Sequence, residues 1–169
     1  MSEIRNLRAV LRKLHQKQIK MANIIKIMSW NANGLLNQQQ ELQAILDINK
    51  IDVCLISETH FTKQSFIRFR GCKIYHTIHP RNAARYGSVI IVKDNIYHIE
   101  EVKIEADDIQ ATVLNIKTKK YNIIVASLYS PPKHNIKAER YVELLKNIGN
   151  RFIIGGDFSA KHTHWDRGL

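Results

Sequence analysis

The chain has 169 residues, of which 44% are hydrophobic and 24% charged, proportions that exclude a disordered or collagen-like chain and indicate one ordinary folded domain. Twenty-six basic residues against fifteen acidic ones give a formal net charge of +11, which favours a phosphate-bearing partner such as nucleic acid or an anionic membrane surface. Two cysteines exclude a disulfide scaffold, no secretory signal is present, and the apolar stretches are too short to cross a membrane.

The first twenty residues predict a basic amphipathic helix. Ile4, Leu7, Leu11 and Leu14 recur at helical spacing among basic residues. Such a helix is typical of a nucleic-acid-binding or nuclear-import arm, or of a membrane-surface helix. We favour a third interpretation, an extension upstream of the natural start, because Met21 directly precedes the first predicted strand. The predicted division is 1–20 for this helical extension and 21–169 for the domain.

Apolar runs and helical stripes alternate from residue 24 onward. A first strand at Ile24–Trp30 and a second at Asp52–Ser57 flank a helix at Asn37–Asn49, which Asn37 would cap. A block of strands comes next, and the turn residues between them indicate an antiparallel arrangement. These strands are Gly71–His76, Ser88–Val92, Tyr97–Ile104, Ile109–Ile116 and Tyr121–Tyr129.

A second helix and a last strand complete the pattern. The helix at Asn135–Asn147 has apolar residues on one face, and Gly149 would end it. The strand Arg151–Gly155 follows directly. This succession of elements predicts an α/β fold in which two sheets pack face to face with helices outside.

Polar side chains follow three of these predicted strands. Asn31 and Asn33 come after the first strand and Glu58 after the second, while Asp157 follows the last one behind a pair of glycines. Because polar groups at the carboxyl ends of strands lie on one rim of an α/β sheet, these residues can share one site. Carboxylate and amide oxygens suit Mg²⁺, with Mn²⁺ as the alternative ion. The pattern therefore predicts a metal site with oxygen donors from Glu58, Asp157 and Asn31.

Each of these residues also has an ordinary structural explanation. Glu58 would be a strand-end carboxylate that faces water, and Asp157 would cap a tight turn after the glycines. Asn31 and Asn33 would stabilise an Asx turn out of the first strand. Only their combination favours a functional site.

Tyr129 and several histidines lie near the same motifs. Tyr129 ends a strand, so its phenol would lie on the rim and could donate a hydrogen bond to a phosphate oxygen; packing against Pro131 is the alternative. His60, His162 and His164 would offer a histidine metal cluster instead. We disfavour that cluster, because no pair has the HxxxH spacing of a helical metal site.

Four short motifs follow one another along the chain: Ser29–Gly34, Ser57–His60, Leu128–Pro131 and Gly155–Phe158. In this order they resemble the endonuclease/exonuclease/phosphatase superfamily, and within it the apurinic-type endonuclease domain of jockey-like non-LTR retrotransposons. The run Arg85–Ile91 resembles the glycine-rich start of a strand in that branch, and the resemblance covers residues 21–169.

This resemblance implies a four-layer α/β sandwich and Mg²⁺-dependent hydrolysis of a DNA phosphodiester, which leaves a 3′-hydroxyl primer. Glu58 would hold the metal with support from Asn31. Asp157 would orient or deprotonate the attacking water, and Tyr129 would bind the scissile phosphate. Asn33 matches the asparagine that is usual in the retrotransposon branch. The family further implies an intracellular, nuclear protein with DNA as its partner, no membrane partner, and a reverse transcriptase downstream.

Two departures from the family pattern shape the expected activity. Ser159 stands where the family usually has a catalytic-site asparagine, which predicts lower activity. The family's later Asp and its Ser-Asp-His segment do not occur before Leu169, so we expect a C-terminally truncated sandwich that nicks DNA weakly or not at all. An impaired endonuclease and an inactive remnant that binds nucleic acid or protein both remain as hypotheses. Asn33 and the basic charge disfavour the superfamily's phosphatases and sphingomyelin-type phosphodiesterases.

Overall fold

The computed structural model describes residues 24–132 and 136–158, so the predicted helical extension at 1–20 lies outside the described residues. Within these ranges the chain forms nine strands, two α-helices and one short 3-10 helix. Neither α-helix of the described part is long and apolar enough to cross a membrane.

The first sheet has four strands in the order β1-β2-β4-β3. Strands β1 and β2 are parallel, as a strand–helix–strand unit requires, and the other neighbours are antiparallel. The predicted antiparallel arrangement after β2 is thereby confirmed for this sheet. The strands are β1 Ile27–Asn31, β2 Val53–Ser57, β3 Cys72–Thr77 and β4 Ser88–Lys93.

The second sheet has the order β5-β7-β8-β9, and a short strand β6 also pairs with β7. Only the β8–β9 pair is parallel among the strand pairs described for this sheet. The helix between β8 and β9 makes this parallel return. The strands are β5 His98–Glu100, β6 Ile104–Glu105, β7 Gln110–Lys117, β8 Asn122–Tyr129 and β9 Phe152–Asp157.

The predicted single strand Tyr97–Ile104 is wrong in one respect, because it is divided into β5 and β6. Glu100 pairs with Leu114, whereas Ile104 pairs with Ala111. Between these two pairs, three residues (101–103) thus face two on β7 (112–113), so an extra residue is inserted. An insertion of this kind bends the strand and interrupts its hydrogen-bond ladder.

The two α-helices are α1 at Gln39–Asn49 and α2 at Ala138–Ile148. The predicted cap at Asn37 is wrong, because a 3-10 helix precedes α1, Gln38 holds the cap position, and no side chain caps it. The predicted stop at Gly149 is confirmed, since its φ of 89° ends α2.

Three apolar clusters define four layers. Leu42 and Leu46 of α1 pack on the outer face of the first sheet, and Leu144 of α2 packs on the outer face of the second. Between the sheets, residues such as Leu55 and Leu114 form a fully buried core. Every residue of β2 is buried because both faces of that strand are covered. The predicted four-layer α/β sandwich is therefore confirmed for the described part of the chain.

Candidate active site

The sequence-predicted site residues lie at one rim of the sandwich. Asn31 is the last residue of β1, and Glu58 directly follows β2, its parallel neighbour. Tyr129 and Asp157 are the last residues of β8 and β9, which pair in parallel with these two residues in register. Each sheet therefore contributes two of the four residues, and all four stand at carboxyl ends of strands.

Strand alternation directs these side chains into the space between the sheets. Ile27 and Val125 belong to the inter-sheet core, and Asn31 and Tyr129 lie four residues further along the same strands. Since side chains two or four residues apart share one face of a strand, Asn31 and Tyr129 face the same space. The site thus occupies the mouth between the two sheets.

Beneath this mouth, the inter-sheet core changes from apolar side chains to hydroxyl groups. The hydroxyl of Thr112 on β7 lies 2.9 Å from the hydroxyls of both Ser88 and Thr77, which belong to the opposite sheet. The hydroxyl of Ser127 on β8 donates to the carbonyl oxygen of Ile56 on β2 at 2.7 Å. These serine and threonine residues are fully buried. Hydrogen bonds therefore fix the spacing of the sheets directly under the site.

One hydrogen bond joins the two sheets at the site itself. Asn31 Nδ2 donates to Asp157 Oδ2 at 3.1 Å, across 126 residues of sequence. Asn31 Oδ1 accepts the backbone N–H of Asn33 at 3.1 Å, so the predicted Asx turn is also present. Asn33 has a positive φ of 42° and is exposed in this turn. Both ends of the Asn31 amide are thus fixed, which orients the carboxylate of Asp157.

The glycine pair permits this close approach of β9. A Cβ atom on Gly155 would lie 2.5 Å from the Ser29 hydroxyl of the first sheet. Gly156 has a φ of +149°, and a Cβ atom there would overlap the carbonyl oxygen of Leu128. Only glycine fits both positions, and Asp157 follows immediately.

Glu58 stands on a loop with unusual backbone geometry. Its φ is 55° and that of His60 is 58°, a region that costs non-glycine residues about 1–3 kcal/mol and is typical of functional sites. The N–H of Gly34 donates to the carbonyl of Glu58, and the N–H of His60 donates to the carbonyl of Tyr86, both at 2.9 Å. The Glu58 side chain is 25% exposed, and its Oε1 lies 3.5 Å from Nε2 of His60. His60, which we disfavoured as part of a histidine cluster, is therefore a direct neighbour of Glu58.

Tyr129 is only 4% exposed although it lies at the rim. Burial raises the pKa of its phenol to about 12, and the negative charges of Glu58 and Asp157 and the phenol of Tyr86 add to this effect. Both carboxylates are therefore near enough to act on Tyr129. Because this pKa lies far above neutral pH, the phenol keeps its proton and can donate a hydrogen bond.

Sequence reasoning missed two aromatic neighbours of Tyr129. The rings of Tyr86 and Tyr129 have their centroids 5.9 Å apart, and the ring of His79 lies 4.6 Å from that of Tyr86. Tyr86 belongs to the run Arg85–Ile91 that carried part of the resemblance. Residue spacing alone, however, does not predict that Tyr86 contacts Tyr129. The sequence signal for close backbone packing here is the glycine at position 87. In the structure Gly87 has a φ of 102°.

The oxygen donors at the mouth fit a hard cation. Glu58 and Asn31 could hold Mg²⁺, which keeps several water ligands and takes the rest from substrate phosphate. In the described ranges, no group of three or more His, Cys, Asp or Glu side chains could hold a metal alone. Ser159, His162 and His164 lie outside the described residues.

A family model and known proteins match most of the chain. The model of the Endonuclease/Exonuclease/phosphatase family matches residues 28–169. The RNA-directed DNA polymerases from mobile element jockey of Drosophila melanogaster and Drosophila funebris are 35% and 33% identical to this chain over 141 residues. These segments cover 83% of the chain but only 15% of each relative, so the chain spans about a seventh of their length.

Solved structures share the fold. The endonuclease domain of TRAS1, a telomere-specific non-LTR retrotransposon, superposes with a TM-score of 0.64 and 25% identity, covering 84% of this chain and 62% of that one. The catalytic domain of Xenopus laevis APE2 superposes with a TM-score of 0.57 and 19% identity, covering 82% of this chain and 59% of that one. The second likeness concerns the fold alone.

Proposed function

The chain belongs to the endonuclease/exonuclease/phosphatase family, and from that premise we propose that it acts as a metal-dependent DNA endonuclease of a non-LTR retrotransposon. The observation that carries this proposal is the hydrogen bond between Asn31 and Asp157, which joins the two sheets where Glu58 and Tyr129 also lie. The jockey polymerases and the TRAS1 endonuclease domain support the mobile-element assignment.

Exposed cations near the mouth support DNA as the substrate. Lys63 lies exposed on the loop after β2, and Arg85 lies exposed on the loop before β4. The two loops are joined, because the N–H of Lys63 donates to Oδ1 of Asn82 at 2.7 Å. Cations in this place would bind phosphates on either side of the scissile bond.

Asp157 is proposed to orient the attacking water and accept its proton. The Asn31 amide holds one carboxylate oxygen, so the carboxylate plane is fixed before substrate arrives. A fixed acceptor avoids the reorganisation that a mobile carboxylate would need in the transition state.

Tyr129 is proposed to donate a hydrogen bond to a non-bridging oxygen of the scissile phosphate. Its raised pKa keeps the phenol protonated throughout the neutral range, so this donor is always present. Glu58, with Asn31, would hold Mg²⁺, which when bound neutralises charge on the phosphate and the leaving oxygen. We propose that the product is a nick with a 3′-hydroxyl, used in the nucleus by a reverse transcriptase encoded downstream.

A plasmid assay with the whole chain tests this proposal. Because we propose that the C-terminal truncation impairs the enzyme, we expect only slow Mg²⁺-dependent conversion of supercoiled to open-circular plasmid, with DNA binding that weakens steeply as salt rises because phosphate contacts dominate. Mn²⁺ is expected to substitute. Salt-sensitive DNA binding without nicking in either metal would contradict the proposal and favour a remnant that only binds nucleic acid.

Ser159→Asn is expected to raise the nicking rate. The family usually has asparagine here, and serine lacks the carboxamide that would help to organise water and phosphate by a hydrogen bond. One such bond contributes about 0.5–1.5 kcal/mol, which predicts an increase of about two- to thirteenfold in single-turnover rate. An unchanged or lower rate in Ser159→Asn would refute the assigned role of this position.

A further inference from the structure

We propose that His79, Tyr86 and Asp107 form a positioning array that holds the ring of Tyr129 in the orientation needed to bind the scissile phosphate. The inference rests on the proposed function, because it assigns new residues to the same reaction. His79 and Tyr86 would act through Tyr129 and not on the substrate itself.

The imidazole of His79 is fixed from both sides. It is only 6% exposed, and its Nδ1 accepts the backbone N–H of Arg81 at 3.2 Å. On the other side of the ring, its Nε2 faces Oδ1 of Asp107 at 3.6 Å. Arg81 Nη2 donates to the other oxygen of Asp107 at 2.6 Å and holds that carboxylate in place. His79 therefore has one orientation.

The imidazole of His79 packs against the ring of Tyr86, which in turn packs against the ring of Tyr129. The rings of His79 and Tyr86 are 4.6 Å apart and inclined by 31°, and those of Tyr86 and Tyr129 are 5.9 Å apart and inclined by 43°. Contacts of this kind are directional, so the orientation of one ring restricts the next. His79 thus restricts the orientation of the Tyr86 ring, and Tyr86 restricts the orientation of the Tyr129 ring.

The backbone of Tyr86 reaches the other half of the site. Its carbonyl accepts the N–H of His60, two residues after Glu58, at 2.9 Å. A Cβ atom on the next residue, Gly87, would lie 2.9 Å from the Thr59 hydroxyl, so the two loops are packed tightly together. Tyr86 is therefore placed to hold the loop of the metal-site carboxylate and the phenol of Tyr129 in a fixed relation.

The loop that contains the array is braced independently of DNA. The N–H of Asn82 donates to the carbonyl of His79 at 2.8 Å, and the Asn82 side chain accepts the N–H of Lys63. The array is thus present before substrate binds. Since DNA affinity comes mainly from phosphate contacts, loss of the array should lower kcat and leave KM nearly unchanged.

Ring-deleting and ring-keeping variants test the array. Tyr86→Leu and His79→Leu are expected to lower kcat by about tenfold with KM within about twofold, because a small misplacement of a positioned group is costly. Tyr86→Phe keeps the ring and should stay within about twofold of the wild-type kcat. Tyr121→Leu is the matched control, since Tyr121 is 47% exposed at the opposite end of β8 and should have wild-type kinetics. Equal losses in Tyr86→Phe and Tyr86→Leu would overturn the proposal.

A measurement without DNA separates this inference from the proposed function. In the chain with ¹³C-labelled tyrosine rings, Tyr86→Leu and His79→Leu should shift or broaden the NMR signals of Tyr129, whereas Tyr121→Leu should not. Unchanged Tyr129 signals in both array variants would overturn the array even if the chain nicks DNA. Shifted signals in a chain that does not nick would support the array and count against the endonuclease.

Discussion

Glu58→Gln and Asp157→Asn are each expected to lower plasmid nicking by about 10²- to 10³-fold, the effect of removing one preorganised electrostatic group from an active site. Glutamine at 58 keeps the shape of the side chain but removes the charge that would hold Mg²⁺. Asparagine at 157 keeps the volume but removes the proton acceptor. Single-turnover nicking with excess protein measures the chemical step directly.

Matched controls show whether the effect belongs to the site. Glu41 lies exposed on α1, and Asp94 lies exposed after β4. The control variants Glu41→Gln and Asp94→Asn change the net charge by the same amount as the corresponding site variants. Both controls should nick at the wild-type rate. Mn²⁺ affinity, measured without DNA, should fall in Glu58→Gln only. Site variants within threefold of the controls would show that the proposed roles are wrong.

Gly156→Ala is expected to destabilise the fold by about 3 kcal/mol or more, because the substitution combines a steric overlap with a backbone angle that alanine disfavours. The added Cβ would overlap the carbonyl oxygen of Leu128, and the φ of Gly156 is +149°. Relief would require β9 to move away from β8. Asp157 would then lose its contact with Asn31, so nicking should fall as well.

Gly149→Ala separates the two causes. Gly149 also has a positive φ, +89°, but a Cβ there would meet nothing within 4 Å. Its substitution should cost about 1–3 kcal/mol, the conformational part alone. Urea unfolding of both variants gives the comparison. If Gly156→Ala were no less stable than Gly149→Ala, the close approach of β9 to β8 would not constrain the site.

Local sequence patterns predicted most of the fold. Apolar alternation located the strands, and the glycine after α2 marked its end, because these signals depend on neighbours within one element. The same patterns failed at Asn37 and within Tyr97–Ile104. At Asn37 a 3-10 helix takes the place of the first helical turn, and in Tyr97–Ile104 pairing with β7 inserts an extra residue. In the second case the partner strand decided the outcome, and local periodicity carries no information about a partner.

The sequence by itself determined the family, the layered α/β fold and the set of rim residues, because strand ends and short motifs can be recognised from consecutive residues. Only the tertiary structure decided that Asn31 donates a hydrogen bond to Asp157, that His60 adjoins Glu58, and that the rings of Tyr86 and Tyr129 pack together. These contacts depend on how far apart two sheets pack. That distance is set by a buried row of hydroxyls and by two glycines acting together, and no single segment of the sequence contains it.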